Sequence, residues 1–402
     1  MPQNTTKIDV IDMPMGAGKT NGMITYMNAH PERKYLFITP YLGECERIQR
    51  DCPRLHFRLP SGNYISKSVH LEKLISEGEN IAATHSLFSL MSRKARNNLK
   101  QQDYVLVLDE ELNAIWKPNE VARDIEMITD ELIRVDEATG LIRWDWQEGN
   151  YSGRFAHLRN YVRTQKIYVF NNALVGEMDT ELFTECFSEI VILTYLFKFS
   201  VTKCYFDIYN INYDYYHFED SEIISGLYDD SEFRENSREL IKICDHTRIN
   251  EIGVENNALS KCWFDKRDLK DEHKILKNNL KNYFTNLTSS TKDTRLWSTF
   301  SKYKDYYSGN GYKTAFISCN LKASNEYRNC EHLAYLMNAY ANPILKQWFH
   351  KKGITYSDDS YALSMLIQWI WRSTIRDGNS VELYLPSKRM QDLLCRWQAG
   401  DI

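Results

Sequence analysis

The sequence predicts an α/β fold of two tandem domains, each a mainly parallel sheet flanked by helices, on three observations. Short apolar runs alternate with amphipathic stretches through the first half, the rhythm of strand–helix–strand units. The first run leads into a glycine-rich loop and then a helix-compatible segment. A second rhythm begins near Tyr213, in a 402-residue chain long enough for two to three domains.

Taken in order, the runs 7–12, 35–39, 81–84, 104–108, 167–170 and 190–194 are read as strands of a parallel sheet. After the fourth lies LIRVDEATGLIRWDW, two alternating segments around Asp136–Gly140, which predicts a hairpin insertion at about 130–148. Past Tyr213 the aromatic run YDYYHF gives way to an acidic stretch and to helical patterns over 269–286 and 294–307. A strand TAFISC (314–319) follows, then helical patterns over 327–349 and 361–376, a strand SVELYLP (380–386) and a helix SKRMQDLLCRW (387–397). The domains are placed at 1–205 and 206–402, the second with a helical and acidic insertion at about 220–310.

Hydrophobic residues at 43% and charged residues at 26% exclude a disordered or low-complexity chain. A net charge of -4 advertises no polyanion partner, so a nucleic-acid surface must come from local sorting of charge. Such sorting is present: 219–239 holds eight acids and two arginines, whereas Arg295 to Arg328 holds six bases and two acids. Solvated helix faces would produce the same runs. The nine cysteines form no C-x-x-C pair, which fits reduced thiols better than a disulfide scaffold or zinc ribbon. No apolar run reaches bilayer length and the N-terminus has no secretory pattern, so a cytoplasmic protein without membrane contact is expected.

Immediately after the first strand comes Met13-Pro14-Met15-Gly16-Ala17-Gly18-Lys19-Thr20. Glycines let backbone N–H groups turn inward and a following helix N-terminus adds positive potential, the arrangement that cradles phosphate. Gly16, Ala17 and Gly18 would form the cradle, Lys19 would reach the β and γ phosphates of ATP, and Thr20 would offer its hydroxyl to Mg²⁺. Met13 stands where the strict pattern has glycine. An ordinary turn could carry the same string, but the preceding strand argues against it.

The run Tyr104–Leu108 ends in Asp109-Glu110-Glu111. Phosphoryl transfer to water needs a carboxylate on Mg²⁺, here Asp109, and one that orients or deprotonates the attacking water, here Glu110. Ligands of doubly wound sheets sit at the carboxyl ends of strands, where Thr20 and Asp109 would meet.

These residues resemble motifs I and II of superfamily 2 helicases, the DExD/H-like ATPases with two RecA-like P-loop NTPase domains: Met13–Thr20 for the first and Asp109-Glu110-Glu111-Leu112 for the second. Phe37-Ile38-Thr39-Pro40-Tyr41 is similar to motif Ia, and Ala83-Thr84-His85-Ser86 to the next strand-end motif. The resemblance implies that Thr39, Pro40 and Thr84 contact the sugar-phosphate backbone of a bound strand and that Thr194, in Ile192-Leu193-Thr194, couples ATP to it. Gln368-Trp369-Ile370-Trp371-Arg372-Ser373-Thr374-Ile375-Arg376 resembles motif VI, with Trp371 where glycine is usual and the second arginine eight residues after Gln368 instead of seven. The resemblance makes Arg372 the arginine finger on the γ phosphate, with Gln368 and Arg376 beside it; positions four and eight after Gln368 share one face of a helix. Ser318–Asn325 falls at motif V without its Gly-Asp pair, and Lys322 and Asn325 would there touch phosphates or cap a helix. About a dozen residues precede the loop, leaving no room for an upstream adenine-reading glutamine motif.

The chain is also similar, in its length and in QWIWRSTIRDG, to helicase-like proteins encoded by bacteriophages. The resemblance therefore implies an ATP- and Mg²⁺-dependent motor in a bacterial host cytoplasm, moving on single- or double-stranded nucleic acid, DNA ahead of RNA, beside replication or recombination proteins. Two other readings stay open. A terminase-like ATPase-nuclease would need a second acid cluster, for which Asp358-Asp359 is the candidate, and a nucleotide-gated binding switch would need no unwinding.

Overall fold

Burial on both faces is what turns the apolar runs into strands. In the computed structural model, which describes residues 6–145, 151–266, 268–319 and 326–402, β1 (Lys7–Asp12), β2 (Lys34–Thr39), β3 (Ile81–Thr84), β4 (Tyr104–Asp109) and β5 (Glu189–Thr194) are almost wholly buried. Continuous apolar runs are the mark of parallel strands covered on each side. Two further strands, β6 (Asp214–Glu219) and β7 (Glu222–Ser225), complete a sheet in the order β7-β6-β1-β5-β4-β2-β3, parallel except for β7. β6 and β7 form a hairpin whose two turn residues, Asp220 and Ser221, both have positive φ, as a right-handed twist favours.

The chain divides into two compact units. The first comprises Met1–Met13, Ala17–Tyr228 and Asn342–Tyr356, and the second Pro14–Gly16, Asp229–Ala341 and Ser357–Ile402. The boundary expected at 205/206 thus falls later, because β6 pairs in register with β1, Asp9 opposite Asp214 and Ile11 opposite Tyr216. The acids at 219–225 accordingly belong to a strand pair of the first unit, whereas those at 232–239 lie on the helix Ser231–Leu240 of the second.

Helix α1 (Lys19–Ala29) packs on this sheet through Gly22, where a Cβ would lie 2.7 Å from Phe218 Cγ. That atom is at the root of a buried ring, so the side chain cannot swing aside. Gly22→Ala gains about 1 kcal/mol of helix propensity but overpacks a site whose relief costs about 1–3 kcal/mol. The variant should therefore melt a few degrees lower; an unchanged or raised melting temperature would show that the ring yields freely.

Between β4 and β5 an insertion builds its own core from Ile125, Ile128, Leu158, Ile167 and Leu174. The expected hairpin is present as Ile133–Val135 paired antiparallel with Ile142–Trp144, but it is one part of a larger unit with helices Ala122–Glu131 and Ala156–Thr164. The run expected as a parallel strand at 167–170 instead joins an antiparallel sheet, Lys166–Phe170 against Ala173–Glu177 against Ile115–Trp116. Asn171 and Asn172, both at positive φ, make a two-residue turn that fixes this pairing.

Helix α2 (Pro343–Lys351) belongs to the first unit although it lies far along the chain. Its start is set by Asn342, whose side chain accepts the Ile344 N–H, and by Pro343 in the first turn. Its buried Trp348 donates Nε1–H to Glu177 at 2.7 Å, and the Tyr209 hydroxyl donates to the other oxygen of this fully buried carboxylate. A buried acid needs such donors.

The second unit has a four-stranded parallel sheet: β8 (Ile241–Ile243), β9 (Arg295–Ser298), β10 (His332–Tyr335) and β11 (Val381–Tyr384), in the order β8-β11-β10-β9. Helices were expected over 294–307 and 327–349, where β9 and β10 stand. Both strands are four residues long and buried, and a short apolar run has no periodicity that separates strand from helix. The expected strand at 314–319 is a 3-10 turn, Lys313–Ala315, followed by one bridge from Phe316 to Trp297. Helices α3 (Asp358–Ile370) and α4 (Lys388–Ala399) flank β11 in sequence, near their expected places. No cysteine is in a disulfide. Among the described residues no helix is long and apolar enough to cross a membrane.

Candidate nucleotide site

The loop after β1 is shaped by where its ends are tied. Met13 N–H donates to the Thr194 carbonyl at 3.0 Å, and its side chain turns into the core, where the sulfur accepts the Phe218 N–H at 3.2 Å. A side chain directed into the core leaves the loop's inner face to backbone, so methionine serves where the strict pattern has glycine. Gly16 (φ 85°) and Gly18 (φ 82°) are both left-handed, the conformation that costs glycine least. Gly18 opens α1 without a side-chain cap, and the first turn has no acid, so its N–H groups keep the character of an anion site. Lys19 Nζ donates to the Met13 carbonyl at 2.6 Å.

Across β5, the end of β4 brings in the acid. Thr20 Oγ1 donates to Asp109 Oδ1 at 3.0 Å, joining residues 89 apart in sequence. Thr39 Oγ1 lies 3.5 Å from the other oxygen, at the outer limit of a hydrogen bond. Burial pushes the Asp109 carboxyl from its ordinary value of 3.8 up to about 7, and the charge of Glu110 adds to the rise; Thr20 and Lys19 pull the other way. A buried carboxyl beside a hydroxyl offers a pair of hard oxygen donors of the kind Mg²⁺ takes, and a bound cation would restore the ionised form that burial disfavours.

The three consecutive acids do different things. Glu110 has φ 65°, and its N–H donates to the Leu193 carbonyl of β5 at 3.0 Å. Glu111 turns away and accepts the Thr202 N–H at 3.0 Å, in the first turn of helix Val201–Tyr209, where a negative charge is favoured.

Of the residues expected to touch nucleic acid, Thr39 is fully buried beside Asp109, which removes its side chain from the surface. Pro40 and Thr84 are half-buried at the ends of β2 and β3, and Thr194 is buried at the end of β5. Lys322 and Asn325 lie outside the described residues. In the basic stretch, Arg295 is committed to the fold by Ser290 and the carbonyls of Phe284 and Gly311, whereas Lys302 is exposed and pairs with Asp265 at the surface.

The segment 368–376 departs from a single helix. α3 stops at Ile370, and Thr374–Asp377 is a separate 3-10 turn, so Arg372 and Arg376 do not share one continuous helical face as expected. The chain leaves the helix as Ser373 turns extended (ψ -170°), just after Trp371. Trp371 packs on Phe233 and Trp397, with ring centroids 4.8 and 5.9 Å away, an anchor that glycine could not supply. Arg372 is 7% exposed, its guanidinium 3.4 Å from each of the Ser318 and Cys319 carbonyls. Arg376 is exposed, and the exposed Gln368 donates to Ser364 at 3.4 Å within α3. Asp358 accepts the Ala341 N–H and Asp359 pairs with Arg389, as capping and surface acids do. Among the described residues no three His, Cys, Asp or Glu side chains gather as a metal cluster.

Sequence reasoning passed over Gly22, Phe218 and His85. Gly22 had a signal, a glycine inside a helical pattern, which usually marks close packing. His85, whose Nε2 lies 3.1 Å from the Asp109 carbonyl, had none beyond its place at a strand end.

The SPbeta prophage-derived uncharacterized protein YonV of Bacillus subtilis (strain 168) is 36% identical to this chain over 409 residues, covering 97% of the chain and 98% of that protein. The model of the YonV C-terminal Rossmann-like domain matches residues 235–398. Among solved structures, an XPD helicase aligns over 99% of this chain and 95% of its own, with a TM-score of 0.51 at 12% identity. The S. tokodaii protein Xpd4 aligns over 98% and 94%, with a TM-score of 0.50 at 14% identity. At these identities the likeness is one of fold alone: α/β domains with parallel sheets flanked by helices.

Proposed function

We propose that this chain, which belongs to the YonV family, is an ATP-driven nucleic-acid translocase of superfamily 2 type. One observation carries the reading: the 3.0 Å bond from Thr20 to Asp109, which joins the hydroxyl after the glycine loop to the acid at the end of β4. Gly16, Ala17, Gly18 and the start of α1 would take the phosphates, and Lys19 would leave the Met13 carbonyl for the β and γ oxygens. Thr20 and Asp109 would hold Mg²⁺, which when bound neutralises phosphate charge. Glu110 would orient the attacking water and accept its proton. In this reading Arg372 would be the second domain's cation, and Gln368 and Arg376 are further candidates from the same segment.

A strand of nucleic acid, DNA ahead of RNA, would run along the ends of β2 and β3 past Pro40 and Thr84, with Thr194 coupling it to the loop; Lys322 and Asn325 are the second domain's sequence candidates for phosphate contact. Contacts to backbone are insensitive to sequence and weaken with salt. The deciding experiment measures ATP hydrolysis by the purified chain with and without single-stranded DNA at two salt concentrations. The proposal expects Mg²⁺-dependent turnover that DNA raises several-fold at low salt. Turnover indifferent to DNA would favour the nucleotide-gated switch, and none in any condition would end the ATPase reading.

A further inference from the structure

Glu110 is left-handed at φ 65°, a region that glycine occupies readily and glutamate does not. Such a conformation persists only where neighbours over-determine it, and two hydrogen bonds here grip one peptide plane. The Glu110 N–H donates to the Leu193 carbonyl on β5 at 3.0 Å. The Asp109 carbonyl, in the same peptide, lies 3.1 Å from His85 Nε2. A carbonyl can only accept, so Nε2 carries the hydrogen. In a trans peptide the two groups point in opposite directions, so the plane is held toward β5 on one side and toward the end of β3 on the other. Because φ of Glu110 is a rotation about the bond leaving that plane, fixing the plane fixes the frame from which the Glu110 side chain departs.

His85 is itself fixed. It opens the short helix His85–Phe88, and its carbonyl accepts both the N–H of Ser89 at 3.0 Å and the Ser89 hydroxyl at 2.9 Å. Its neighbours Thr84 and Ser86 are half-buried and exposed, at the strand end where nucleic acid is placed in the reading above.

We propose that His85 is a positioning residue that clamps the Asp109–Glu110 peptide to the end of β3, so that a nucleic-acid strand seated at Thr84 and Ser86 sets the aim of Glu110. The inference rests on the ATPase reading and adds to it a route from bound strand to hydrolytic acid.

The test compares His85→Ala, His85→Asn and His85→Gln in the full chain, by steady-state ATP hydrolysis with and without single-stranded oligo(dT). Glutamine can present an N–H to the same carbonyl, whereas asparagine is too short. DNA-stimulated kcat should fall about 10- to 100-fold in the Ala and Asn variants, with KM for ATP within about twofold of wild type, and Gln should recover most of the loss. A purely structural role would lower all three alike or raise KM. Stimulated kcat within twofold of wild type in the Ala and Asn variants, a raised KM at unchanged kcat, or a Gln variant no better than Asn would overturn the proposal. If wild type hydrolyses ATP and Lys19→Ala does not, such a result sinks this inference alone. If wild type shows no hydrolysis, the ATPase reading fails and takes this one with it.

Discussion

Lys19→Ala should lower ATP turnover at least 100-fold while leaving the fold intact. Lys19 heads α1 from a loop whose shape is set by Gly16, Gly18 and the buried Met13 side chain, none of which the substitution touches. Its ammonium now rests 2.6 Å from the Met13 carbonyl, a bond that a phosphate oxygen would outcompete because it is charge-assisted. A cation on the transferred phosphoryl group acts where charge rearranges in the transition state, and removing such a group costs on the order of 10²- to 10³-fold, or about 3–4 kcal/mol. Lys19→Arg should do little better, since a planar fork does not replace a point charge inside a tight loop. The measurement is steady-state hydrolysis beside a thermal melt. Turnover above a third of wild type, with an unchanged melt, would remove the loop from the catalytic site.

How much of this was legible depends on the range over which each feature is determined. Strands β1 to β5 lie within a residue or so of their expected limits, because runs buried on both faces announce themselves in composition. The meeting of Thr20 with Asp109 was also legible, since both follow strands of one parallel sheet and such strands end on the same edge. Features fixed by distant partners were not. Nothing local marks α2 as belonging to the first unit; Trp348 is held there by Glu177, 171 residues away. Met13 reads as a departure from the loop pattern until Phe218, 205 residues on, accounts for it. β9 and β10 are too short and too buried for periodicity to speak, and the break after Ile370 accompanies Trp371 packing on rings at 233 and 397, partners that lie outside its own segment. The left-handed Glu110 is a property of the folded peptide and has no signature in an acidic triplet.

Asp109→Asn should abolish turnover and yet stabilise the metal-free protein at neutral pH, and the two effects have one cause. Burial raises the Asp109 carboxyl from 3.8 to about 7, so the folded state disfavours the ionised form. Stability from this group is therefore fully present below about pH 4, is lost as pH rises toward 7, and stays lost above it. Asparagine matches the neutral acid in shape, keeps an oxygen to accept from Thr20, and carries no charge at any pH. Without Mg²⁺ the variant should melt higher than wild type at pH 8, by roughly 2–6 °C for a gain on the order of 2 kcal/mol, with the gap narrowing as pH falls from about 7 and closed near pH 4. Mg²⁺ with ATP should then raise the wild-type melt by more than the variant's, because the loop can still hold phosphate in both but only the carboxylate gains from the cation. Melts in EDTA across that pH range, repeated with Mg²⁺ and ATP, decide it. A variant less stable than wild type at pH 8 in EDTA would mean that the ionised carboxylate is already satisfied by the protein, and Asp109 would then be a structural acid with no need of a metal.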